Sequence, residues 1–116
     1  MAYEVWDVAN VAAYPNQENS KETTARPVII IEDLQDEVLL CPVTKQLKQK
    51  DNYKNTILVL KDTEEGKAMG LDFDSVIILD RIVPLKKLRL TGKIGSCPDS
   101  IIEQIEEMLD LMRKNG

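Results

Sequence analysis

The sequence offers three sets of side chains whose type and spacing bear on chemistry: two cysteines, two runs of basic residues, and acids gathered into a few stretches. It contains no histidine. That absence removes the commonest general acid and base, and it rules out Ser-His-Asp and Cys-His nucleophilic arrangements. Any reaction here falls to Arg, Lys, Asp, Glu, Thr, Ser, Tyr or backbone amides. Cys41 sits in an apolar run, Val38-Leu39-Leu40-Cys41-Pro42-Val43, where a thiol behaves as a small hydrophobe. With Cys97 far away and no histidine beside either, a zinc site is disfavoured and no metal ligand is assigned. In a reducing compartment the expectation is two free thiols rather than a disulfide.

The net charge of −5 argues mildly against a nucleic-acid binder, yet the location of charge matters more than its sum. Lys45, Lys48, Lys50 and Lys54 face a single acid, Asp51, in their stretch, and Arg81, Lys86, Lys87, Arg89 and Lys93 form a second run with no acid between them. The acids collect at 32–37, at 62–65 and along the C-terminal segment. A chain that is acidic overall can therefore present a basic face. Ordinary solvated surface lysines account for the same composition equally well.

The elements that must position these groups can be read along the chain. Residues 1–116 suit one domain with a single core. No apolar run is long enough to span a bilayer, and the first residues lack the basic and apolar regions of a secretion signal, so a cytoplasmic location is expected. Residues 5–12 read as a first strand, and 14–25 as a polar loop of the length that often carries function. Residues 27–31 form a continuous β-branched run suited to a buried strand, with a turn at 32–36 and a returning strand over 37–43 that stops or bulges near Pro42.

A lysine-rich loop follows at 45–55, then a strand at 56–60 and a brief helical turn from 62 limited by Gly66 and Gly70. Residues 75–79 read as another buried strand, running on toward Val83 until Pro84 breaks it, and 85–90 as a turn with a short strand. The last segment is a helix, with Ser96 and Asp99 as a capping-box variant and Pro98 in its first turn. Ile101, Ile102, Ile105, Met108, Leu109 and Met112 share one stripe, which suits packing on a sheet. Arg113 and Lys114 suit the helix C-terminus. The whole implies a mainly β, α+β fold: a small SH3-like antiparallel barrel with a C-terminal amphipathic helix packed on it.

Four ordered blocks then carry a family resemblance. Thr24-Ala25-Arg26-Pro27 running into Val28-Ile29-Ile30-Ile31 resembles the most recognisable motif of the MazF/PemK toxins. Cys41-Pro42-Val43-Thr44 looks like the second motif, a strand closing on Thr or Ser. Gly70-Leu71 with Asp74-Ser75-Val76-Ile77-Ile78-Leu79-Asp80-Arg81-Ile82 resembles the third, and Lys93-Ile94-Gly95-Ser96 with the helix from Asp99 fits the tail. The chain departs from the pattern in three places. Glu4-Val5-Trp6-Asp7 stands where the family usually opens with Gly-Asp, Arg81 where Gln is common, and Ile78 where the PemK branch often has Arg.

The resemblance implies a PemK-type fold, a homodimer, and a metal-independent, cofactor-free endoribonuclease that cuts single-stranded RNA at a preferred sequence. RNA carries its own nucleophile, the ribose 2′-hydroxyl, so the enzyme must accept a proton, stabilise charge on phosphorus and protonate the leaving oxygen. The resemblance makes Arg26 the main catalytic residue, matched by guanidinium geometry to charge stabilisation. It makes Thr44 a hydrogen-bond donor to a phosphate oxygen. Asp80 is either a base or a structural turn partner. Lys45, Lys48, Lys50 and Arg81 would hold RNA, with Tyr14 and Tyr53 as stacking surfaces. The implied partner is a cognate antitoxin whose acidic tail covers the RNA groove. Two alternatives stay open: a CcdB-like toxin that binds gyrase without cleaving anything, and a family member that has lost activity.

Overall fold

The computed structural model describes residues 3–11 and 26–115. Seven strands form one antiparallel sheet: β1 (Asp7–Val11), β2 (Arg26–Asp33), β3 (Glu37–Thr44), β4 (Thr56–Val59), β5 (Ser75–Ile78), β6 (Val83–Lys86) and β7 (Leu90–Ser96). Two helices accompany them, α1 (Glu64–Ala68) and α2 (Asp99–Asn115). The order across the sheet is β4-β5-β3-β2-β1-β7, with β6 joined to β3 as a branch. The sheet is open: among the described residues no ladder joins β7 to β4 or β6. The mainly β, α+β architecture with its terminal helix is the one expected from the sequence, and the loop at 14–25 lies outside the described residues.

Side-chain alternation explains why β2 reads as an unbroken aliphatic run. Ile29 and Cys41 enter one core together with Val8, Ile77, Cys97, Ile101 and Ile105, while their neighbours Val28, Ile30 and Leu40 enter a second with Ala9, Val11, Leu85 and Leu90. Both faces of the central strands are thus covered, one by α2 and the other by the inward curl that brings β6 and β7 over the same surface. The helix lands as its stripe predicts. Ile101 and Ile105 are fully buried, and Ile102, Met108, Leu109 and Met112 pack against the same core. Each buried isoleucine contributes roughly 1.5–3 kcal/mol.

Several boundaries differ from expectation for identifiable reasons. β3 runs straight through Pro42 to Thr44, because on the side away from β2 its ladder to β6 ends at Leu40 and its ladder to β5 begins at Val43. A residue without an N–H falls in the gap between two partners, where the missing donor costs little. Pro84 likewise sits inside β6 rather than ending a strand, since β6 pairs only with β3. β5 stops at Ile78 and the chain makes a 3-10 turn over Leu79–Arg81. β7 extends well past the short strand expected within 85–90; two glycines and few apolar residues mask its alternation. Ser96 closes β7 opposite Asp7 rather than capping α2, and the first turn of α2 closes on the Pro98 carbonyl, which accepts from the Ile101 and Ile102 amides at 3.0 Å each.

Trp6 explains the missing opening glycine. Its φ is 75°, a backbone conformation that glycine adopts freely and that costs an ordinary residue about 1–2 kcal/mol. The strain is held by both sides of the peptide: the Trp6 amide donates to the Ile30 carbonyl at 2.7 Å, and its carbonyl accepts from the Cys97 amide at 2.9 Å. The indole packs against the core under α2. Beside it, the buried Asp7 carboxylate accepts from the Glu4 amide at 2.9 Å and pairs with Lys93 at 3.1 Å.

Gly70 answers a different demand. Its φ is 73°, and a Cβ there would meet the backbone of Ile94 in β7. This close approach seats the end of α1 on the sheet. Gly70→Ala is expected to destabilise the fold by roughly 2–4 kcal/mol through strain and overpacking, lowering Tm by about 8 °C or more in a thermal melt. The cysteines are free and buried, with Cys97 pushed up to about 12 and Cys41 pushed up further by loss of solvation. Because the thiolate is the reactive form, both are expected to resist iodoacetamide at pH 8 and to react only after denaturation, as mass spectrometry would read out.

Candidate active-site cleft

One cleft of about 420 Å³ opens at the end of the sheet, where β2 begins and β3 ends. Its lining includes Arg26, Thr44, Lys45 and Gln46 together with Asp72, Phe73, Ser75 and Ile94. Arg26 and Thr44 come together through strand register. In the β2–β3 ladder Val28 lies opposite Pro42, so continuing it by two residues sets Arg26 opposite Thr44. Each is also fixed on its other flank, Arg26 by Val11 of β1 and Thr44 by Val76 of β5. Pro27 adds a local restraint, because the residue before a proline is held in the extended region.

The Thr44 hydroxyl oxygen accepts from the Gln46 amide at 3.1 Å, which closes a small turn and orients the side chain. Its hydrogen can still be donated. Lys45 places its ammonium 4.8 Å from the centre of the Phe73 ring. The cleft therefore gathers a guanidinium, a hydroxyl donor and an ammonium within one concave surface, a set suited to an anionic, tetrahedral group such as a phosphate.

The other sequence-predicted residues lie elsewhere. Asp80 is absent from the cleft wall: one carboxylate oxygen accepts from the Asn55 amide and the other from its side-chain amide, each at 2.8 Å. Arg81 donates to the Tyr53 hydroxyl at 3.2 Å. With the Leu79 amide donating to the Asn55 carbonyl at 2.9 Å, these contacts tie the 45–55 loop to the 3-10 turn after β5. Lys48 and Lys50 are exposed on a 3-10 turn within that loop, outside the cleft lining. Tyr14 lies outside the described residues. Of the second basic run, Lys87 pairs with Asp33 at 2.7 Å, and that ammonium with the Gln35 amide holds the Asp33 carboxyl below its usual range. Lys93 is engaged by Asp7. Among the described residues no cluster of His, Cys, Asp and Glu could hold a metal ion, and no helix is long and apolar enough to cross a membrane.

Sequence reasoning missed Asn10, Gln46, Asp72 and Phe73, which reach the cleft only through the fold. Phe73 did leave a signal, as the only phenylalanine in the chain and one set between two aspartates.

The fold is a curled antiparallel sheet with one terminal helix, and Arg26 and Thr44 line a cleft at its strand ends. Residues 4–112 match the PemK-like, MazF-like toxins of type II toxin–antitoxin systems, and the chain belongs to that family. It is 27% identical over 97 residues to Endoribonuclease EndoA of Bacillus subtilis (strain 168), a match covering 79% of this chain and 78% of that protein. The structure of an endoribonuclease in complex with its cognate antitoxin, from Mycobacterial species, shares the fold, with a TM-score of 0.60 at 13% identity over 90% of this chain and 86% of that one.

If Asp80 serves as an anchor for the loop, Asp80→Asn is expected to lower stability by about 1 kcal/mol, because one accepting oxygen becomes a donor facing a donor. Hydrogen exchange would register the change as faster exchange of the Asn55 and Leu79 amides, with the central strands unaffected.

Proposed function

We propose that this toxin is a metal-independent endoribonuclease that cuts single-stranded RNA at a preferred sequence. The placement of Arg26 beside Thr44 in one cleft is the observation that carries the reading. Two donors on adjacent strands, set by backbone register, match the oxygens of a bridging phosphate. The family assignment and the endoribonuclease relative support the same chemistry.

The ribose 2′-hydroxyl attacks the neighbouring phosphorus, and the 5′ oxygen of the next nucleotide leaves. Arg26 stabilises the extra charge on the non-bridging oxygens, a role that its planar fork of donors fits better than proton transfer. Thr44 donates to one of these oxygens and fixes the phosphate's orientation. Lys45 neutralises charge on the flanking backbone, and Lys48 and Lys50 on the adjoining loop extend that attraction along the strand. The full engagement of Asp80 by Asn55 favours its structural role over that of a base. A homodimer and an antitoxin with an acidic tail are the partners this reading implies.

The test is incubation with long single-stranded RNA in EDTA, followed by sequencing of the fragment ends. Discrete cleavage is expected for the wild type. Arg26→Ala is expected to lose at least about 100-fold in kcat and Thr44→Val about 10- to 100-fold, in the range seen for removing a transition-state donor. Absence of cleavage by folded wild type across several RNAs would sink the proposal and turn attention to gyrase binding or a loss of activity.

A further inference from the structure

Phe73 has no structural account. It is 56% exposed and belongs to neither core, yet its ring sits in the wall of the cleft that holds Arg26 and Thr44. Its backbone is held firmly. The Ser75 hydroxyl donates to the Phe73 carbonyl at 2.7 Å, and the Asp74 carboxylate accepts from the Lys61 amide at 2.9 Å. Gly70 and Leu71, which enter the segment, are seated against β7 and α1. An exposed aromatic ring on a pinned turn costs little conformational entropy on binding a flat partner.

The charges around the ring say what that partner is. Lys45 lies over one face, next to Thr44 in sequence, so a phosphate held by Thr44 has its neighbouring ammonium directed toward the ring. Asp72, next to Phe73 in sequence, also lines the cleft, and a carboxylate repels phosphate. Backbone charge therefore belongs with Arg26 and Thr44, and an uncharged, flat, polarisable group belongs against Phe73. On a single-stranded RNA that group is a nucleobase.

We infer that Phe73 is the stacking platform for a nucleobase flanking the scissile phosphate, with Lys45 held on the ring's opposite face, which makes Phe73 a substrate-positioning residue of this toxin. The inference rests on the ribonuclease reading above. Bases of single-stranded nucleic acids stack on aromatic rings with a gain of roughly tenfold to a hundredfold in affinity per base. The base would be seated before attack, so the ring acts mainly on binding, with the phosphate geometry left to Arg26 and Thr44.

The test uses the RNA segment spanning the cleavage site mapped for the wild type. Phe73→Ala and Phe73→Leu are expected to raise KM about 10- to 100-fold with kcat little changed, while Phe73→Tyr and Phe73→Trp restore it. In the Arg26→Ala background, which binds without cutting, a 2-aminopurine placed in turn on each side of the cleavage site reports stacking by fluorescence quenching. Quenching at one flanking position, lost in Phe73→Leu and kept in Phe73→Tyr, supports a stacked base. Wild-type cleavage with unchanged KM in Phe73→Leu, or quenching that survives in that variant, overturns this inference alone. A wild type that cuts no RNA overturns the ribonuclease reading and this inference with it.

Discussion

A β-strand has two edges, and β3 must serve three partners with them. One edge is given to β2 along most of its length; the other is divided, with Glu37 to Leu40 on β6 and Val43 to Thr44 on β5. The division is what makes the sheet curl. β6 turns in over one face and carries Val83 and Leu85 to the second core, while β5 and β4 continue the sheet the other way and carry Ile57, Val59 and Ile77 to the first. Pro42 marks the point of division, because a residue that cannot donate suits the gap between the two ladders on that edge. Thr44, two residues later, is held at the strand's last position by its pairing with Val76 of β5.

Burying both faces of the central strands leaves polar chemistry only at their ends. That requirement places the cleft. β2 starts with Arg26 and β3 finishes with Thr44 at the same end of the hairpin, and Gly70, packed against Ile94 after α1, adds to the lining. It also reconciles an acidic chain with an anionic target. Asp7 is buried against Lys93, Asp33 pairs with Lys87 at the surface, and Asp80 holds the loop. Asp72 is an acid in the cleft lining, beside the bases Arg26 and Lys45. Net charge is a poor guide because it says nothing about where charges stand: many of the acids lie on α2, away from the cleft lining.

Much of this was legible in the sequence, to the degree that local pattern and tertiary packing agree. β2 and α2 were readable because their apolar spacing already implies burial on two faces and on one stripe. β7 was not, since Gly92 and Gly95 leave gaps in the alternation, and Gly95 is required by the approach of Met69, a contact between residues far apart in the chain. Arg26 and Thr44 were found through motif and order; their juxtaposition depends on register, which no motif states. Lys48, Lys50 and Arg81 are basic and near the site in sequence, but the fold sets them on 3-10 turns outside the cleft lining, a placement that composition does not state. Phe73 was passed over because an isolated aromatic between acids looks like an ordinary surface residue until the fold turns it into the cleft.

A histidine-free site restricts the mechanism in a way that the architecture matches. Arg and Thr do not change ionisation near neutral pH, so they can help only by standing where charge develops, and misplacement by an ångström removes most of the benefit. Side chains on long loops would hold such positions poorly. Here the guanidinium projects from a residue locked extended by Pro27 and paired to β1, and the hydroxyl from a residue paired to β5 and closed by the Gln46 amide. The strained Trp6 fits the same logic, since its peptide joins β2 to the start of α2 at the far end of the sheet and its ring braces the core beneath. Backbone register thus does the positioning that a mobile imidazole relay would otherwise share, and the rigidity of the β1–β2–β3 ladder becomes a requirement of the chemistry itself.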